Sequence, residues 1–203
     1  MTTRNNLLER LGLFVRPQVL RATECARVLQ AMRGAPAEAA QVSIGDVTAV
    51  DNRVRHSLSV EVAGGAAAAV IDQAFNAVRS ELERYFGAAL GAPEPPHFLL
   101  YGPGAYFVPH RDRAQRPDSA VATRRISAVL FLNDDFSGGA LTFYDLISGP
   151  GWEGVGLPCD AAPGLLIAFQ SEVRHEVPPI TAGERATVVT WFPDRPPHAQ
   201  RAS

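Results

Sequence analysis

His110-Arg111-Asp112 sets an imidazole and a carboxylate two positions apart, and in an extended strand that spacing turns both side chains to the same face. His175 comes much later in the chain, the kind of distant third ligand that a folded barrel brings alongside. Two histidines and one carboxylate cover one face of an octahedral iron(II) and leave the opposite face open for small ligands. Arg185 lies downstream of His175, on the next predicted strand beyond the Thr181-Ala182-Gly183 turn, so a hairpin there places His175 and Arg185 on adjacent strands. Its guanidinium is permanently charged and offers a planar fork of donors that matches a carboxylate. Each feature has an ordinary alternative: HxD triplets arise by chance, a lone later histidine is often a surface or core residue, and Arg185 can close an ion pair with Glu184 or Asp194. The joint spacing favours a metal site with an anion-binding arginine beside it.

The elements that must position these groups change character along the chain. Two helices are predicted before residue 97, over Thr23 to Met32 and Gly65 to Phe86; in the second, Val70, Ala74, Val78, Leu82 and Phe86 draw one apolar stripe. Val47 to Val62 supplies an edge strand or two. Gly91 to Pro96 reads as a linker, because proline cannot continue a helix. From His97 onward, short β-type runs alternate with Gly, Pro, Asp and Asn: His97 to Tyr101, Tyr106 to His110, Arg125 to Leu132, Ala140 to Tyr144, Leu165 to Phe169 and Ala186 to Phe192. Such spacing predicts a sandwich or jelly roll. The longer connections Arg113 to Thr123 and Ile147 to Pro163 are candidates for lids or substrate contacts.

With 203 residues, 46% of them hydrophobic, the chain can bury one full core. The expectation is a single domain over 1–203, mainly β with N-terminal helices: a supporting part over 1–96 and a core over 97–193. A formal net charge of −2 gives no general attraction to nucleic acid or anionic membranes. All basic side chains are arginine, which removes every lysine-based mechanism. Cys25 and Cys159 form neither a CxxC pair nor a disulfide framework, and Met1 to Gly12 lacks the layout of a secretory signal, so a cytoplasmic location is expected.

The segments YGPGAYFVPHRD, RRISAVLFLND, SGGALTFY, PGLLIAF and RHEVPPITAGERATVVTWF, spread over about Phe98 to Phe192, resemble the Fe(II)/2-oxoglutarate oxygenases, and within them the prolyl 4-hydroxylase-like branch. The resemblance implies a double-stranded β-helix (jelly-roll) core braced by helices. It implies that His110, Asp112 and His175 hold Fe(II), that Arg185 holds the far carboxylate of 2-oxoglutarate, and that O2 is consumed with ascorbate as reductant. Tyr101 matches a tyrosine lining the cosubstrate pocket in relatives. Phe131 stands where several relatives have a tyrosine that binds the same carboxylate, so another donor must assist Arg185; strand parity nominates Ser127 and Thr187. Trp191 shares the face of Arg185 and is a candidate pocket wall. Arg113 and Arg124 are the foremost candidates to bind a substrate carboxylate, although exposed arginines are usually solvated. Gly138-Gly139 reads as a turn, and His56 and His97 carry no assigned chemistry.

The implied reaction is hydroxylation of an unactivated C–H, with a prolyl residue in a peptide or protein as substrate, or alternatively a free amino acid or natural-product intermediate. Asp112 argues against halogenation, where relatives carry a small residue. Trp191 occupies the position at which nucleic-acid demethylases of the superfamily carry a second arginine, so no nucleic-acid partner is expected, and no membrane partner either. The rivals are a non-catalytic β-helix binding module or oxygen sensor and a cupin-like metal enzyme without 2-oxoglutarate, which would leave Arg185 without its role.

Overall fold

The strand Arg124–Phe131 is buried on both faces, and its two faces look into different cores. Ile126, Ala128 and Leu130 join a cluster with helical residues, whereas Val129 and Phe131 join a second cluster with Phe143, Ile167 and Phe169. That division follows from the two-residue period of a strand, and it organises the whole molecule: helices, a large sheet, and a smaller sheet facing it.

The structure, a computed structural model, describes residues 3–44, 47–62, 64–114, 116, 119 and 121–195. In chain order the elements are α1 (Thr3–Arg10), β1 (Phe14–Arg16), α2 (Ala22–Arg33), β2 (Ala37–Ala39), β3 (Val42–Ile44), β4 (Val47–Ala49), β5 (Arg55–His56), β6 (Leu58–Val60), α3 (Gly65–Phe86), β7 (His97–Tyr101), β8 (Tyr106–His110), β9 (Arg124–Phe131), β10 (Ser137–Gly138), β11 (Leu141–Phe143), β12 (Leu157–Cys159), β13 (Leu166–Gln170), β14 (His175–Val177), β15 (Ile180–Ala182) and β16 (Arg185–Pro193). The large sheet runs β1-β13-β9-β16-β7-β6-β2 and the small one β12-β11-β14-β8-β5, with β10-β15 and β3-β4 as separate ribbons. All the pairings are antiparallel. This is the expected jelly-roll sandwich of two antiparallel sheets.

Helix α3 has the predicted limits, and Gly87 closes it in the left-handed conformation (φ 60°), its N–H bonded to the Glu83 carbonyl. The stripe it buries is Ile71, Ala74, Phe75, Val78 and Leu82, while Val70 and Phe86 flank it half-buried. Phe75 is 1% exposed, and truncating such a side chain costs about 3–5 kcal/mol. Helix α2 packs in the same core through Cys25, Val28, Leu29 and Met32.

The structure corrects one expectation and refines two. His175 and Arg185 do not share a hairpin: β14 belongs to the small sheet and β16 to the large one, and β15 between them pairs with β10. Pro178 and Pro179, which have no N–H to offer a ladder, end β14 and let the chain cross between sheets. The boundary at residue 96 separates textures rather than sheets, since β1, β2 and β6 extend the large sheet and β5 extends the small one. The segment 91–96 is pinned rather than loose: the Gly91 and Glu94 N–H groups donate to the carbonyls of Pro193 and Trp191. Part of the connection from Arg113 to Thr123 lies outside the described residues, and the one from Ile147 to Pro163 contains β12. No helix among the described residues is long and apolar enough to cross a membrane.

Candidate metal centre and adjoining cavity

Residue His110 closes β8 and His175 opens β14, and the register pairs them directly across the small sheet. The next pair in the ladder is Phe107 with Val177, so β8 carries an extra residue at this point. A bulge of this kind tolerates Pro109 inside a paired strand and re-aims the side chains around it. Asp112 follows the end of β8, where its N–H and that of Arg113 both donate to the carbonyl of Ser171. Its carboxylate oxygens thereby come 3.5 Å from His110 Nε2 and 3.6 Å from His175 Nε2, and the three ligand atoms lie within 4.8 Å of one another.

The environment prepares these groups to bind a cation. Nδ1 of His110 lies 2.8 Å from the Val108 carbonyl and Nδ1 of His175 3.0 Å from that of Val173. A carbonyl can only accept, so each Nδ1 carries the proton and each Nε2 offers its lone pair to the centre. Burial pushes His175 down to about 4, and the neighbouring His110 acts in the same direction. Its ring is therefore neutral at ordinary pH. Burial opposes ionisation of Asp112, but the imidazoles of His175 and His110 beside it and the Ser127 hydroxyl outweigh it and hold the carboxyl well below the usual carboxylate range. Phe107 stacks on His110 with ring centroids 3.5 Å apart and an interplanar angle of 15°.

Arg185 enters from the large sheet. It is 1% exposed, and the rings of Tyr101 and Phe131 each lie 5.1 Å from its Cζ. Nη1 donates to Thr187 Oγ1 at 3.3 Å, while Nε and Nη2 are buried without a partner among the described residues. Burial lowers its pKa to about 10, an effect opposed by Tyr101 and reinforced by Arg55, so it remains cationic. Asn133 fixes the backbone on either side: its Oδ1 accepts from Ala186 N–H at 2.8 Å and its amide donates to the Glu184 carbonyl at 2.6 Å. A narrow cavity of about 50 Å³ is lined by Arg185, Thr187 and Tyr101 together with all three triad residues. A wider cleft of about 270 Å³, lined by His110, Asp112, Arg55, His97, Arg124 and Trp191 among others, adjoins it.

Other predicted residues fall in different places. Thr187 contacts Arg185 as parity suggested. Ser127 instead contacts the Asp112 carboxylate and the Ser171 hydroxyl, 2.9 Å away. Trp191 lines both spaces and leaves its buried indole N–H unpartnered. Arg124 stacks over Trp191 at 3.6 Å, but its charge is already met by a bidentate pair with Glu94. Arg113 points elsewhere, toward Glu172 and Asp194, and lines neither space. His97 packs edge-on against Trp191 in the cleft, while His56 lies exposed against Tyr106. The glycine pair has a packing role: a Cβ on Gly138 would collide with the Pro179 carbonyl, and one on Gly139 would collide with Ile180 and touch Arg185 Cδ. Sequence reasoning missed Arg55, Phe107, Ser171 and Asn133. Only the Arg-x-Ser pattern of residues 55–57, within a segment read as an edge strand, carried a signal.

A family model described as the 2OG-Fe(II) oxygenase superfamily matches residues 96–193, the stretch that contains the triad and Arg185. The matched stretch, just under half of the chain, is similar to that superfamily. A crystal structure of a Pseudomonas putida prolyl-4-hydroxylase is 26% identical, with a TM-score of 0.66 over 94% of this chain and 96% of that one. A prolyl hydroxylase from Trichoplax adhaerens, solved with a hypoxia inducible factor peptide fragment, shares the fold at 20% identity, with a TM-score of 0.73 over 93% and 86% of the two chains. Among curated proteins, a PKHD-type hydroxylase of Sphingopyxis alaskensis is 33% identical over 111 residues, 53% of this chain and 47% of its own length. The chain thus matches less than half the length of that relative. Within the matched stretch, the His110-Asp112-His175 set and Arg185 line one continuous cavity.

Proposed function

We propose that this protein is an Fe(II)- and 2-oxoglutarate-dependent dioxygenase that hydroxylates an unactivated C–H, with a prolyl residue of a peptide or protein as substrate. The observation that carries the reading is the pair of unpartnered donors on fully buried Arg185, in the same cavity as three converging metal-ligand atoms. A buried guanidinium without an anion costs several kcal/mol, so the site is built for a carboxylate to complete it. Two imidazoles and one carboxylate suit iron(II). Cosubstrate and site therefore fit at both ends. When bound, the iron and 2-oxoglutarate supply O2-dependent oxidation of a C–H bond, coupled to decarboxylation of the cosubstrate to succinate.

The protein's own residues bind, orient and exclude water. His110, Asp112 and His175 would hold the iron, with Ser127 and the backbone carbonyls of Val108 and Val173 orienting them. Arg185, assisted by Thr187 and packed against Phe131, would hold the far carboxylate, while Tyr101 and Val189 line that end of the cavity. Trp191 and His97 would form a wall of the substrate cleft. The prolyl hydroxylases among the similar proteins support the substrate class. Ascorbate as reductant and a cytoplasmic location belong to the same reading; the buried thiol of Cys25 agrees with a reducing compartment. The test is mass spectrometry on proline-containing peptides incubated with the iron-loaded protein, 2-oxoglutarate and O2. The expected product is heavier by one oxygen atom and forms with succinate; succinate formation that no peptide stimulates would contradict the substrate class.

A further inference from the structure

Arg55 is a second buried guanidinium in the same active space, 8% exposed, and it lines both the narrow cavity and the wider cleft. It stands on β5 opposite Phe107 of β8, with Cζ 4.7 Å from the Phe107 ring that also stacks on His110. Its hydrogen-bond partners are all neutral: Nε donates to Ser57 Oγ at 2.8 Å, Nη1 to the Gln41 carbonyl at 3.4 Å and Nη2 to Tyr101 OH at 3.4 Å. A guanidinium has five N–H donors, so each Nη keeps one uncommitted.

No carboxylate among the described residues closes an ion pair with Arg55. Of the carboxylates lining the cleft, Asp112 is engaged with the two imidazoles, and Glu38 lies exposed on β2. Arg185 and Arg55 approach Tyr101 from its ring and its hydroxyl respectively, so one cosubstrate carboxylate on Arg185 leaves Arg55 without a counter-charge. Arg124, by contrast, already has Glu94. A buried cation retained in this state costs stability unless a ligand neutralises it.

We infer that Arg55 is a specificity-determining residue that receives a carboxylate of the substrate, one side chain away from the metal centre. The inference rests on the proposed function for the identity of the neighbouring ligands. It narrows the substrate to one that carries an acidic group close to the oxidised carbon, either an acidic side chain beside a proline or a terminal carboxylate. The neutral character of Ser57, Gln41 and Tyr101 makes the preference one of charge: an amide of the same shape accepts a hydrogen bond but leaves the guanidinium unpaired.

Anaerobic calorimetric titration of the Fe(II)- and 2-oxoglutarate-loaded protein tests this with two matched pairs of probes: N-acetylproline against N-acetylprolinamide, and blocked Pro-Asp against Pro-Asn dipeptides. Expected is binding of at least one acid about tenfold tighter than its amide, and collapse of that ratio to about twofold or less in Arg55→Gln, with Arg55→Lys retaining part of it. Which pair discriminates identifies the source of the carboxylate. Equal binding of acid and amide in both pairs, no binding of any probe, or a preference that survives Arg55→Gln overturns the inference. Formation of the visible iron-2-oxoglutarate band in the wild type, recorded in the same cell, separates this failure from failure of the proposed function.

Discussion

His110 and His175 are cross-strand partners, paired on β8 and β14 of the small sheet, and the carboxylate of Asp112 reaches both of their Nε2 atoms. The candidate metal centre is therefore assembled by one ladder of the sheet and one turn after it. Removing any of the three ligands leaves the sheet paired but opens the centre. In His175→Ala and Asp112→Ala, iron(II) affinity should fall by at least about 100-fold, since even residues that only orient metal ligands are worth roughly 10–100-fold. Equilibrium dialysis with iron analysis reads this, with circular dichroism as the folding control; near-normal iron binding in both variants would reject the centre.

Much of this arrangement is legible in the amino-acid sequence. β7 and β8 have the predicted limits because Gly102, Pro103 and Gly104 interrupt two runs of strand-forming residues. Parity along β16 separates Arg185, Thr187 and Trp191, which face the cavity, from Ala186 and Val188, which face the helices. The features that local pattern does not reveal depend on long-range pairing. Arg55 belongs to a two-residue strand whose partner lies far along the chain, and its one local mark, the Arg-x-Ser pattern of residues 55–57, does not place it in a pocket. Proximity in sequence suggests a hairpin for His175 and Arg185, yet the two meet across the cavity from opposing sheets because β15 pairs away with β10. Ser127 has the parity of a cosubstrate residue, but its place along β9, opposite Trp191, brings it to Asp112 instead.

The Ser127 hydroxyl contacts the Asp112 carboxylate, while the Ser171 carbonyl holds the Asp112 backbone. Ser127→Ala should lower iron(II) affinity by about tenfold while leaving the fold intact. An unchanged iron affinity would show that the backbone contacts of Asp112 to Ser171 suffice.

Thr187 is the hydroxyl acceptor for Arg185 Nη1. Thr187→Val keeps the shape and removes the oxygen, at a cost near the net value of one hydrogen bond, about 0.5–1.5 kcal/mol. The expected result is a rise of about 2- to 10-fold in the 2-oxoglutarate dissociation constant with no change in iron affinity.

Gly138 adopts φ 73° and packs against the backbone of Pro179 and Thr181. Gly138→Ala both strains that conformation and forces β10 away from β15, for a destabilisation of about 2–4 kcal/mol. Thermal unfolding should register the loss, and a melting temperature equal to that of the wild type would contradict the packing described.

The central claim is that Arg185 awaits the far carboxylate of a ligand chelated at the triad, its Nε and Nη2 being buried and unpartnered. Anaerobic titration of the iron(II) protein with 2-oxoglutarate, followed by visible absorption, tests it most directly. The account predicts a weak charge-transfer band that saturates in the wild type and requires at least about 100-fold more 2-oxoglutarate in Arg185→Ala, as losing the partner of a buried charge costs about 3–5 kcal/mol. No band in the wild type, or the same affinity in Arg185→Ala, would contradict it.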